Sequence, residues 1–116
     1  MATWLNVAEA HHFFATEYEA EERVTIRGVV TEVRYRNPHV QLLVMVRREN
    51  GEEEVWAANT VGPRSLPRRG WDPDTVQPGD ALTLHGNLGR DGAKRVWIQT
   101  MSLDGRAPIY PVGRAP

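Results

Sequence analysis

At 116 residues, 41% of them hydrophobic, the chain has material for one domain with one modest core. Fourteen basic against fifteen acidic side chains leave a formal net charge of -1, which disfavours a protein built mainly to neutralise a phosphate backbone. The absence of cysteine excludes a disulfide framework, a thiolate metal site and a cysteine nucleophile.

No run reaches the roughly 18 to 20 apolar residues that a membrane span needs. The opening stretch MATWLNVAEA lacks the basic start and long apolar run of a signal peptide. Residues 1–22 read as a short helical or irregular N-terminal segment: Trp4, Val7, Ala8, His11, His12 and Ala15 fall near helical spacing, and Glu17 to Glu22 is acidic and solvated. The period then changes to two. β-Branched alternation from Val24 onward predicts a strand over 23–36, and Gly28 inside it marks a bulge or sharp coil.

Asn37-Pro38 breaks that strand, since proline donates no ladder hydrogen bond. A second strand is expected over 39–48, a hairpin turn at Asn50-Gly51, and a returning strand over 53–59. Residues 60–80 are rich in proline, glycine and charge, with a helical turn expected over 65–70 and a tight turn at Pro78-Gly79-Asp80. Two more strands follow, over 81–88 and 95–103, joined by a hairpin loop at Arg90-Asp91-Gly92. Five strands, a long first one with a mid-strand glycine, and a non-strand insertion between the third and fourth predict an all-β fold. It is a small five-stranded OB-like barrel spanning 23–104, followed by an extended tail over 105–116.

The chemistry rests first on histidine. His11 and His12 precede the first strand and His39 sits at the bend after Pro38; imidazole is the commonest protein ligand for zinc and copper. If the fold brings them together, three nitrogens converge, with copper favoured at a nitrogen-rich site. His12 and His39 come first, because adjacent side chains on an extended segment point to opposite sides. Glu17 or Glu19 supplies an oxygen ligand in that scheme. In the competing reading His11 and His12 flank the N-terminus, while a hydrogen bond from His39 fixes the proline bend. His85, mid-strand, reads as structural.

The second candidate is the loop carrying Arg64, Arg68, Arg69 and Trp71. Guanidinium forks match planar anions and an indole stacks on rings, so Arg68, Arg69 and Trp71 are candidates to hold a carboxylate, phosphate or sugar. The competing and preferred reading is a solvated loop whose Trp71 plugs the end of the barrel. Trp56 and Trp97 lie on strands as core or face residues. Few basic residues interleave with them, so nucleic acid is not expected. No nucleophile elbow, phosphate loop or H-E-x-x-H helix is present, and Ser65 and Ser102 have no base beside them in sequence, which leaves enzymatic activity open.

Three segments in order, HHFFATEYEAEERVTIRGVVTEVRYRNPHV, SLPRRGWDPDTVQPGDALTLHG and the closing strands, resemble a family of small bacterial proteins of unknown function. Members read HHSFA near the mature start, then a strand ending in NPH, then LLRRGW and a PGD turn. The resemblance covers about residues 11 to 105. It departs at Phe13, where Ser is usual, at Tyr35-Arg36, where Trp leads, and at Pro67, where Leu is usual. It implies an exported, periplasm-facing location and marks His11, His12, Asn37, Pro38, His39, Arg68, Arg69, Gly70 and Trp71 as motif positions.

Three functions follow as expectations. One is a binding module with a copper or zinc site at His11, His12 and His39, redox-active if copper has an open position. Another is a metal-free domain that takes a small anionic or sugar-like ligand. The last is an interaction module, a homodimer included, that pairs through an exposed edge strand.

Overall fold

The structure, a computed structural model, describes residues 13–114. A helical turn through residues 13–17 runs straight into β1 (Tyr18–Arg34), followed by β2 (Gln41–Arg47), β3 (Glu53–Asn59), β4 (Ala81–Gly89) and β5 (Arg95–Leu103). The strands close into a barrel in the order β1-β2-β3-β5-β4. Every pairing is antiparallel except β3 with β5, where Ala57–Asn59 run parallel to Arg95–Trp97. This is the five-stranded OB-like barrel that the strand order predicts, and a 3-10 turn at Pro67–Arg69 lies in the insertion between β3 and β4.

β1 is long because two neighbours share it. Its residues Arg23–Val29 pair with β4 and Val29–Arg34 pair with β2. Gly28 sits at the handover, where a Cβ would run into the Met45 carbonyl and lie 2.8 Å from Val44 Cγ1. Only glycine lets the two backbones approach that closely. The ladder shifts register between Val30 and Glu32, the irregularity expected of a strand that must coil round a small barrel. β1 also begins earlier than the alternation predicts: Tyr18 pairs with Gly89 across an irregular stretch before Arg23. The acidic residues between them are bulged and mostly solvated, so they carry no period-two signal.

Inward positions of each strand make the core: Ile26 and Val30, Leu42 and Val44, Leu82 and Leu84, Val96 and Ile98. Leu66, Trp71 and Val76 from the insertion are buried with them and close the barrel. The Tyr35 hydroxyl donates to the Trp71 carbonyl at 2.8 Å and ties the insertion to the end of β1. The tail after β5 is tied back to the barrel. Met101 and Ile109 exchange both backbone hydrogen bonds, at 2.9 and 2.7 Å, and the Arg114 guanidinium lies 4.6 Å over the Tyr110 ring.

Candidate functional site

One cross-strand row organises a trough at the barrel surface. Arg34 lies opposite Gln41, Gln41 opposite Asn59, and Asn59 opposite Trp97. Their side chains form a relay: Arg34 Nη1 donates to Gln41 Oε1 (3.0 Å), Gln41 Nε2 to Asn59 Oδ1 (3.0 Å), and Asn59 Nδ2 to the Tyr18 hydroxyl (2.6 Å). Asn59 and Tyr18 are buried, so each polar atom needs such a partner. Burial pushes the Tyr18 hydroxyl up to about 12, outweighing the opposing Asn59 hydrogen bond.

Two shallow hollows share Phe13, Gln41 and Asn59 as walls. One extends along the 35–40 loop past Arg36, Pro38 and His39. The other extends to the start of β5, past Ala57, Lys94 and Arg95. Phe13 stands between them. Its ring stacks on His39 with centroids 4.3 Å apart and planes at 28°. Tyr18 and Trp97 lie behind, with ring centroids 5.8 and 6.2 Å from Phe13. Phe14 meets Trp97 edge-on at 5.8 Å and 81°. The short turn of residues 13–17 thus lays two rings over an aromatic floor, a geometry that aromatic quadrupoles favour.

Cations rim the trough, most of them answered by a carboxylate. Arg34 pairs with Glu32, Arg95 with Glu17 and Lys94 with Glu54 at 3.0 Å; Arg90, outside both hollows, pairs with Glu19 at 3.5 Å. The Lys94 hydrogen bond holds the Glu54 carboxyl below its usual range, helped by the Trp56 indole N–H. Arg36 is exposed and has no carboxylate partner among the described residues.

His11 and His12 lie outside the described residues. His39 is half-buried in the ring cluster. Glu17 and Glu19, the suggested oxygen ligands, are engaged by Arg95 and Arg90. Among the described residues no group of three His, Cys, Asp or Glu side chains is placed to hold a metal. His85 Nδ1 shares a hydrogen bond with Thr25 Oγ1 at 2.8 Å, the structural role its mid-strand place suggested.

Burial separates the members of the arginine-tryptophan loop. Trp71 is fully buried, so neither face of its indole is open for stacking, and it plugs the barrel instead. Arg68 and Arg69 are exposed on the 3-10 turn, with the Arg69 guanidinium running beside Gly113 of the returning tail. A stretch of edge does remain: β3 pairs with β5 only from Ala57 onward, and outside that stretch Val55 is 49% exposed.

The sequence reading missed Gln41, Asn59, Tyr18, Lys94 and Arg95. The signal was a polar residue at the open end of three strands, where Gln41 starts β2, Asn59 ends β3 and Arg95 starts β5. Only the barrel register turns those three ends into neighbours.

The fold is similar to that of a mitochondrial single-stranded DNA binding protein from S. cerevisiae, Rim1, with a TM-score of 0.56 at 9% identity, covering 74% of this chain and 96% of that one. The N-terminal domain of the PriB protein from Thermoanaerobacter tencongensis, solved as a dimer, gives 0.52 at 16% identity, covering 72% and 97%. At such identities the likeness establishes the fold alone. No curated protein matches the sequence. Residues 1–97 match a family of unknown function (DUF6152).

Proposed function

The chain belongs to that family of unknown function, and from this premise we propose that the domain is a binding module that takes a small anionic or sugar-like molecule in the trough around Gln41 and Asn59. The observation that carries the reading is that Arg36 and His39 on one side, and Lys94 and Arg95 on the other, flank the same two hydrogen-bonded amides. Amides read hydroxyls and carboxylates by direction, while guanidinium and ammonium groups supply attraction. OB barrels take ligands on strands 2 and 3 and on the loops that join strands 1–2 and 4–5. The trough lies on those elements. The yeast neighbour is a single-stranded DNA-binding protein. A long strand suits this chain less well, because its net charge is -1 and carboxylates already answer Arg34, Lys94 and Arg95.

Titration calorimetry with inorganic phosphate, ribose 5-phosphate and maltotriose tests the reading. Saturable binding of one of them, weakened by about tenfold or more in Arg36→Glu/Lys94→Glu with an unchanged circular dichroism spectrum, supports it; tenfold corresponds to about 1.4 kcal/mol. If none of the three binds, the reading fails.

A second reading has its own observation. His12 is bonded to Phe13, and the Phe13 ring lies 4.3 Å from that of His39. The covalent chain therefore ends its described part beside the third member of the expected metal set. On this reading His11, His12 and His39 hold copper or zinc with neutral imidazole nitrogens. Mass-spectrometric metal content after dialysis against each metal decides it. Stoichiometric metal that His39→Ala abolishes supports a site, and a metal-free protein removes it.

A further inference from the structure

The trough is already occupied, by the chain itself. Phe13 walls both hollows, which also share Gln41 and Asn59, and its ring covers His39. That ring lies nearly parallel to the His39 imidazole, as a bound planar ligand would. Further along the same segment, Glu17 reaches Arg95 and Glu19 reaches Arg90, and the Ala15 carbonyl accepts from Arg90 Nε at 2.9 Å. The segment offers the barrel a flat ring followed by anionic oxygens. Those are the two features of a nucleoside phosphate.

Building on the trough reading, we propose that residues 13–17, the turn ahead of the buried Tyr18, are a built-in competitor, and that the ligand they stand in for is a planar ring joined to a phosphate, of nucleotide size. The ring takes the place of Phe13 on His39, and the phosphate takes Arg95 once Glu17 is displaced.

The ties of the segment suit displacement. Its ion pairs are at half-exposed positions, where such pairs contribute little. Strand pairing with β4 begins only at Tyr18, so no ladder fastens the turn of residues 13–17. Phe13 and Phe14 are only half-buried, unlike the Tyr18 and Trp97 rings beneath them. A ligand that must first displace the segment binds more weakly than it would to the open trough, by the fraction of time the trough is open.

Calorimetry with adenosine 5′-monophosphate, ribose 5-phosphate and a short oligo-dT separates the parts. Phe13→Ala should tighten binding of the mononucleotide by about tenfold or more and leave ribose 5-phosphate unchanged, because only the first has a ring to place on His39. Glu17→Gln/Glu19→Gln, which leaves the ring cluster intact, should tighten both phosphates. If the oligonucleotide binds no more tightly than the mononucleotide, the ligand is a free nucleotide; a steep gain with strand length makes it nucleic acid. If ribose 5-phosphate binds through Lys94 but neither variant tightens the mononucleotide, the competitor idea is wrong and the trough reading stands. If no phosphate probe binds the wild type or either variant, both fall together.

Discussion

Thr60 is fully buried at the start of the insertion, and its Oγ1 has no hydrogen-bond partner among the described residues. A buried hydroxyl without a partner forfeits its hydration and gains nothing in return. Thr60→Val keeps the shape and removes the hydroxyl, so it should stabilise the domain by about 1 kcal/mol. The denaturant midpoint should rise with no change in slope. A fall would show that the hydroxyl bonds a trapped water and that the site is polar by design. The Trp71 indole N–H is in the same condition, buried and unpartnered among the described residues. Its ring nevertheless fills the barrel end, so Trp71→Ala should cost about 3 kcal/mol or more through the cavity it leaves. The sequence offered the plug as one of two readings of Trp71, and its full burial fits that one. What the sequence could not show is that burial takes it out of reach of Arg68 and Arg69.

At the scale of elements, β3 and β5 run as their alternation and flanking turns predicted, over Glu53–Asn59 and Arg95–Leu103. β1 was harder to bound, because neither end obeys a simple period. Its start is an irregular acidic stretch, and its end runs into a loop where the side chains of Tyr35 and Arg36 go to different tasks. Gly28 was legible as a special position, and the structure gives the reason: β1 passes from β4 to β2 against the Met45 backbone. Gly28→Ala should therefore destabilise by about 1–3 kcal/mol, since the obstructing atom is a main-chain carbonyl that a rotamer change cannot move aside. Thermal unfolding of this variant checks the value. A neutral result would mean that β1 and β2 can part there without disturbing the ladder on either side.

Over the whole molecule, the histidine and arginine motifs drew attention because their residue types are chemically loud. The trough is built from quieter ones, Gln41, Asn59 and Tyr18, which meet only through barrel closure. That closure also sets the pH limits of the fold. On the acid side, the Arg27 hydrogen bonds hold the Asp104 carboxyl below its usual range, and Lys94 does the same for Glu54. Carboxylates depressed in the folded state give support that is present above their unfolded pKa and lost as pH falls through the folded one. The Arg27–Asp104 pair is exposed and Lys94 reaches Glu54 from the solvent side, so the acid loss should be shallow and weakened further by salt. The alkaline side differs, because the group is in the core. Tyr18 holds its proton up to about 12 when folded, against 10.0 ordinarily. Its stabilisation is thus complete below pH 10.0 and is lost as pH rises through about 12. A proton held that much more tightly is equivalent to about 3 kcal/mol at the upper end. Denaturant titrations at stepped alkaline pH should show that decline in the wild type. Tyr18→Phe should be less stable at neutral pH, because Asn59 loses its partner, yet flatter above pH 10.0. If both proteins decline in parallel, the alkaline limit belongs to surface lysine and arginine pairs. The Tyr18–Asn59 bond would then be a packing feature without a titration of its own.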